Sequence, residues 1–211
     1  MVSPHLDDAV LSCGQRLAAA PGSTVITVFT EGPAPGGSPT AWDASCGFRA
    51  GDDVMAARRA EDEAALGWLH ATPVWLGLLE AQYGGSLDVG HLAGPLAAAL
   101  GGWEGIDVVV PLGLHHPAHV AVAAAARAVM AGRPDLRWWA YADQPYAALH
   151  PDTLETRLAE LGLGEPEPPP AADVRYKRAA LREYRTQLRA LAGSWRLSLA
   201  PERAWRLTMD G

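Results

Sequence analysis

Near its start the chain reads Ser3-Pro4-His5-Leu6-Asp7-Asp8, and much later it reads His115-His116-Pro117-Ala118-His119. The first segment puts an imidazole and two carboxylates within about one turn of backbone, beside the positive end of a helix dipole. Such a group is costly to hold together without a cation. His5, Asp8 and His119 together would supply two imidazoles and one carboxylate, the ligand set of a catalytic zinc whose remaining positions stay open to water and substrate. Zn2+ is the expected cofactor, although other divalent transition metals such as iron or cobalt suit the same donors. Asp7, one residue from a ligand, is then placed to act as general base. His116 can protonate a departing amine or stabilise an oxyanion. A bound cation lowers the pKa of water to about 7 and polarises a carbonyl oxygen, so the expected chemistry is hydrolysis of an amide.

Each cluster also has a simpler explanation, because acids at a helix start act as caps and imidazoles can do the same. Capping accounts for one of two adjacent Asp residues more readily than for both together with His5. A shared ion explains the two clusters at once, provided the fold brings them together.

The elements that must do this are legible as alternating strands and helices. Ser23 to Thr30, Thr72 to Leu78, Ile106 to Pro111 and Leu136 to Tyr141 are apolar and rich in β-branched or aromatic residues, as buried strands are. Between them, 9–20, 52–69, 91–100 and 120–130 read as helices, the first stopped by Pro21-Gly22. Near-continuous apolar strands in this order predict a three-layer α/β/α sandwich around a mainly parallel, Rossmann-like sheet, with residues 1–211 forming a single domain. In such a sheet the strand-to-helix corners share the edge beyond the carboxyl ends of the strands. Both His clusters lie at such corners, and Asp143 leaves the fifth strand on the same edge.

Several segments carry finer expectations. Residues 31–52 read as a long loop over the site, with Trp42, Asp43 and Phe48 as candidate ligand contacts. Residues 79–88 form a second loop, with Glu80 and Tyr83. A helix over 151–161 is expected to be capped by Asp152 or Thr153. Glu165 to Pro170 is a stiff connector, Val174 to Leu191 one long amphipathic helix, and Trp195 to Leu207 an edge strand or surface packing. Only Met1-Val2 precedes the first cluster, so the first strand is expected to be clipped or to begin upstream.

Composition narrows the function classes. The chain has 211 residues, 49% of them hydrophobic, enough for one substantial core. A net charge of -7 argues against a nucleic-acid-binding face, and Lys177 is the only lysine. No apolar run reaches the roughly 18 residues of a membrane span. Cys13 and Cys46 are too few for a disulfide scaffold, and a cytoplasmic location is expected. Nothing in the sequence specifies an oligomeric state.

These residues resemble the LmbE-like, or PIG-L, family of zinc-dependent N-deacetylases. SPHLDDAVLSCG is similar to the family's first motif, and HPAH to its second, usually His-Pro-Asp-His. ARRAEDEAA resembles its Arg-x-x-Glu helix, YADQPYA a strand-end segment, and Tyr184 to Gln187 a late Tyr-x-x-Gln segment. The resemblance implies that His5, Asp8 and His119 hold the metal, that Asp7 is the base, that His116 is the acid or electrostatic partner, and that Arg58 contacts the substrate. It implies an N-acylated amino sugar, or a conjugate containing one, as small-molecule substrate. Ala118 stands where the family has an Asp able to hydrogen-bond the acid His, and Asp143 is the candidate to take over that role near the substrate. The alternative reading is a ligand-binding protein that keeps the metal but has lost turnover through Ala118. A phosphoester hydrolase is a further alternative, disfavoured by the lack of acidic ligands for a second metal.

Overall fold

The computed structural model describes residues 1–33, 37–168 and 171–208. In chain order the elements are β1 (Val2–Ser3), α1 (Asp8–Ala18), β2 (Thr24–Glu31), α2 (Ala41–Cys46), α3 (Val54–Trp68), β3 (Thr72–Leu79), α4 (Val89–Ala99), β4 (Asp107–Pro111), α5 (Pro117–Ala131), β5 (Arg137–Tyr141), α6 (Tyr146–Leu149), α7 (Pro151–Glu160), α8 (Val174–Leu181), α9 (Arg185–Ala190) and β6 (Ala204–Arg206). β1, β2 and β3 form one parallel ladder, with Val2 opposite Ile26 and Ile26 opposite Val74. β4 and β5 form another, closed on its outer side by antiparallel β6. The two ladders meet where β1 lies against β4, and the Tyr141 hydroxyl donates to the Val2 carbonyl across the junction (3.2 Å). β1 has two residues, too few to carry a ladder to β4, so the sheet divides into two three-stranded units.

Alternation along β2 builds the layers, because successive side chains face opposite sides of a strand. Ile26 and Val28 point into a core with Leu92 and Leu96 of α4 and Val122 and Val129 of α5. Val25 faces the other way, onto Val10 and Leu17 of α1, Leu66 of α3 and Leu181 of α8. Each such fully buried Leu or Val contributes about 1.5–3 kcal/mol, so the layer order follows from the apolar pattern.

α1 is bent at Cys13, whose backbone is non-helical (φ -139°, ψ 23°). The bend deprives later amides of their helical acceptors, and a side chain replaces them: Glu202 accepts from the backbone N–H of Gln15 (2.7 Å) and Arg16 (2.9 Å). Lys177 Nζ donates to the same carboxylate at 2.8 Å, both side chains being buried. Gly14 makes room, since a Cβ there would lie 2.6 Å from Lys177 Cγ.

The fold corrects three local expectations. The 31–52 segment contains α2, which the Thr40/Asp43 capping box starts in spite of the weak apolar period. α7 begins after His150, and its N-terminus has no side-chain cap from Asp152 or Thr153. The helix expected over 174–191 is two helices: at the break the Tyr184 hydroxyl donates to buried Asp62 (2.8 Å), and Thr186 is held by Glu61. Of the 165–170 connector, 169–170 lie outside the described residues, and Glu167 pairs with Ala204. Among the described residues no helix is long and apolar enough to cross a membrane.

Candidate active site

The carboxyl ends of β1 and β4 deliver the two His clusters to one place. Asp7 occupies the N-cap position of α1 without making a side-chain cap bond; Ser3 Oγ instead accepts from Ala9 N–H (3.1 Å). Both carboxylates of the pair are therefore free of the capping task. Asp8 turns back, its Oδ2 accepting from His5 N–H (2.9 Å) and lying 3.0 Å from His5 Nδ1. The same oxygen is 3.1 Å from His119 Nε2, 111 residues further along the chain. One donor atom from each of His5, Asp8 and His119 lies within 4.8 Å of the others. His5 Nε2 and His119 Nε2 are buried and have no hydrogen-bond partner among the described residues.

The charges around these rings favour a cation. Burial alone would lower the pKa values of His5 and His119. Asp8 and Glu80 nevertheless raise His5 to about 10, and Asp8 and Asp143 raise His119 to about 9. Burial pushes the Asp8 carboxyl up, but the two imidazoles hold it well below the usual carboxylate range. Three carboxylates thus face two imidazoles, and protons on both rings offset two of the three negative charges. A divalent ion would supply the same charge and leave the imidazoles neutral as ligands, so the donor set fits such an ion.

Asp143 lies on the expected edge but meets His119 rather than His116. It is fully buried, accepts from His119 Nδ1 at 2.7 Å and from Gly113 N–H at 3.0 Å, and reaches neither the cavity nor His116. Its corner lies beneath His119, away from the cavity lining, so the expected substrate contact is not seen. His116 Nδ1 instead accepts from Ala118 N–H (3.2 Å), the cap of α5. Burial, then the charges of His5 and His119, lower the His116 pKa to about 4. A neutral His116 with Nδ1 accepting keeps its proton on Nε2.

Asp7 faces the cavity, and burial together with the adjacent Asp8 raises its pKa to about 6, against the opposing pull of His5, Gln187 and Arg58. The cavity, about 240 Å³, is lined by His5, Asp7, Asp8, Arg58, Glu80 and His116 among others, with Trp42, Phe29, Met55 and Tyr146 as its apolar wall. Arg58 Nη2 donates to Asp43 Oδ1 (2.9 Å), and its guanidinium stacks over Phe48. Of the three loop residues expected at the ligand, only Trp42 lines the cavity. Asp43 is buried beneath Arg58, and Phe48 packs on the guanidinium.

Sequence reasoning gave no site role to Glu80, Gln187 or Tyr146, which all line the cavity. Glu80 Oε1 lies 3.2 Å from His5 Nε2. Burial raises its pKa, but the His5 contact outweighs this and holds it at about 2. The corner rule that singled out His5, His119 and Asp143 applies equally to Glu80, the first residue after β3. Gln187 ends the Tyr-x-x-Gln segment but lies at no strand corner, and the break before α9 that turns it to the cavity depends on contacts distant in sequence. Ser12 Oγ accepts from Gln144 N–H (3.0 Å).

No protein-family model and no curated protein matches the chain. Solved structures do. The A40926 pseudoaglycone deacetylase Dbv21 superposes with a TM-score of 0.81 at 29% identity, covering 98% of this chain and 94% of that one. A triple mutant of a deacetylase of the teicoplanin biosynthetic pathway gives 0.82 at 26% identity over 100% and 98% of the chains. The zinc-inhibited form of teicoplanin deacetylase Orf2 gives 0.82 at 25% identity, with the same coverage.

Proposed function

From the resemblance of this chain to the LmbE-like, PIG-L deacetylases, which its motifs, fold and structural neighbours support alike, we propose that it is a metal-dependent N-deacetylase. Its substrate is a small-molecule N-acylated amino sugar, carried on a larger aglycone as the names of the neighbours suggest. The observation that carries this reading is the meeting of His5, Asp8 and His119 donor atoms within 4.8 Å, with both imidazole Nε2 atoms facing carboxylate oxygens rather than other donors.

His5, Asp8 and His119 hold the cation, and Asp143 fixes the His119 ring by taking its Nδ1 proton in a hydrogen bond. Bound there, zinc or another divalent transition metal would polarise the acyl carbonyl and acidify water. Asp7, with a pKa near 6, takes the proton from the attacking water and can hand it to the amine as the C–N bond breaks. His116 Nε2–H donates to the oxygen on which negative charge develops. Arg58, pinned by Asp43, presents its guanidinium to sugar hydroxyls, and Trp42 offers a face at the cavity rim. Residues 1–211 act as one deacetylase domain, and the free thiols Cys13 and Cys46 are consistent with a cytoplasmic location.

Acetate release from a panel of N-acetylated amino sugars and glycopeptide glycosides, with metal analysis alongside, tests the proposal. Release that depends on metal and is lost with His119→Ala is the expected result. Thermal stabilisation by a sugar with no acetate released would favour the binding-protein reading instead.

A further inference from the structure

Gln187, on α9, lines the cavity and is only 3% exposed, yet one end of its amide lacks a partner. It meets the Asp7 carboxylate and favours its charged form. A charged carboxylate only accepts hydrogen bonds, so the NH2 end of Gln187 faces Asp7 and Oε1 is turned away from it. Oε1 is buried and has no partner among the described residues. Flipping the amide would set Oε1 against the carboxylate. The backbone is held as well, because the Thr186 N–H and hydroxyl both donate to Glu61 (3.0 and 2.7 Å). Two residues after Gln187, Arg189 crowds Gly47 of α2, where a Cβ would lie 2.6 Å from its Nη1.

We propose that Gln187 Oε1 accepts the N–H of the scissile amide and so makes the enzyme select amides over esters. The proposal rests on the deacetylase reading, in which Asp7 serves both the attacking water and the departing nitrogen. A group that touches Asp7 therefore lies beside that nitrogen, and what its free oxygen lacks is a donor. A secondary amide brings one to this place, whereas an ester sets an oxygen lone pair against Oε1. A site built to hydrogen-bond a substrate N–H discriminates strongly against an analogue without it, because the buried protein group is then left unpaired. Esters are intrinsically the easier bond to cleave, so a preference for amides must come from the protein. The N–H stays on the nitrogen throughout the reaction. Gln187 takes no proton, and its part is recognition.

The test compares kcat/KM for acetate release from the best N-acetylated glycoside of the panel with that from the ester in which oxygen replaces the same nitrogen. Gln187→Met and, separately, Gln187→Ala remove the acceptor, and either variant suffices should the other fail to fold. In both, the amide-to-ester ratio of kcat/KM should fall by about tenfold or more. Gln187→Glu keeps an acceptor at this place and should hold a ratio near that of the wild type even where its rates fall. Amide and ester rates that drop by the same factor in Gln187→Met or Gln187→Ala would overturn the proposal, since Gln187 would then only steady Asp7 or bind a sugar hydroxyl. Unchanged rates on both substrates would overturn it too. In either case amide hydrolysis by the wild type leaves the proposed function standing. A wild type that cleaves neither substrate would overturn both.

Discussion

Replacing Asp143 by Asn separates an orienting role from a merely structural one. The carboxylate accepts two buried hydrogen bonds, from His119 Nδ1 at 2.7 Å and from Gly113 N–H at 3.0 Å. An amide has one acceptor oxygen, so one of these donors must face an NH2 group. If the oxygen stays with Gly113, the NH2 group forces His119 to accept at Nδ1 and to carry its proton on Nε2, the atom proposed to ligate. If the oxygen stays with His119, Gly113 N–H is left unpaired at a cost of about 1–3 kcal/mol. Loss of such an orienting partner weakens metal binding by about 10–100-fold, or about 1.4–2.8 kcal/mol at 1.4 kcal/mol per decade. Chelator competition for Zn2+ and calorimetry of the metal-free protein measure the two effects. Zinc affinity within about twofold of wild type, together with a lowered Tm, would show that Asp143 only holds the Gly113 turn. A shifted pH-rate profile at unchanged zinc affinity would return Asp143 to a role on His116.

Three further outcomes follow from the same geometry. Asp7→Asn should lower turnover by about 10²- to 10⁴-fold, the usual contribution of a general base, while bound metal stays stoichiometric; loss of the metal would make Asp7 a ligand instead. Lys177→Met leaves the Glu202 charge buried and should cost about 3–5 kcal/mol in denaturant unfolding, and adding Glu202→Gln should restore part of it. Asp62 is raised to about 7 by burial, despite the opposing hydrogen bonds from Trp75 and Tyr184. Between its unfolded pKa of about 3.9 and that value the native state holds the extra proton. Stability should therefore fall by up to about 4 kcal/mol as pH rises from about 4 to about 7, with no further contribution above. Urea midpoints across that window should show a smaller decline in Asp62→Asn, and an equal decline would refute the assignment.

Much of the site could be read from residue order, because strand-to-helix corners of a parallel sheet share one edge whatever the details of packing. That rule places His5, Asp8 and His119 together from positions more than a hundred residues apart. It also covers Glu80, which went unread because a lone carboxylate in a polar loop looks like solvated surface. The rule fails one level down. It puts Asp143 on the right edge but does not say which of two nearby imidazoles its carboxylate meets, and the packing chooses His119.

What the chain determined by itself is therefore the donor types, their edge and the layer order, since hydrophobic period and corner position are local properties of the sequence. Tertiary structure alone decided the rest. The break before α9, which brings Gln187 beside Asp7, and the bend in α1 held by Glu202 both arise where buried polar groups must find partners far away in the chain. Hydrogen-bond satisfaction in a buried site is a condition on the whole fold, and no window of neighbouring residues contains it.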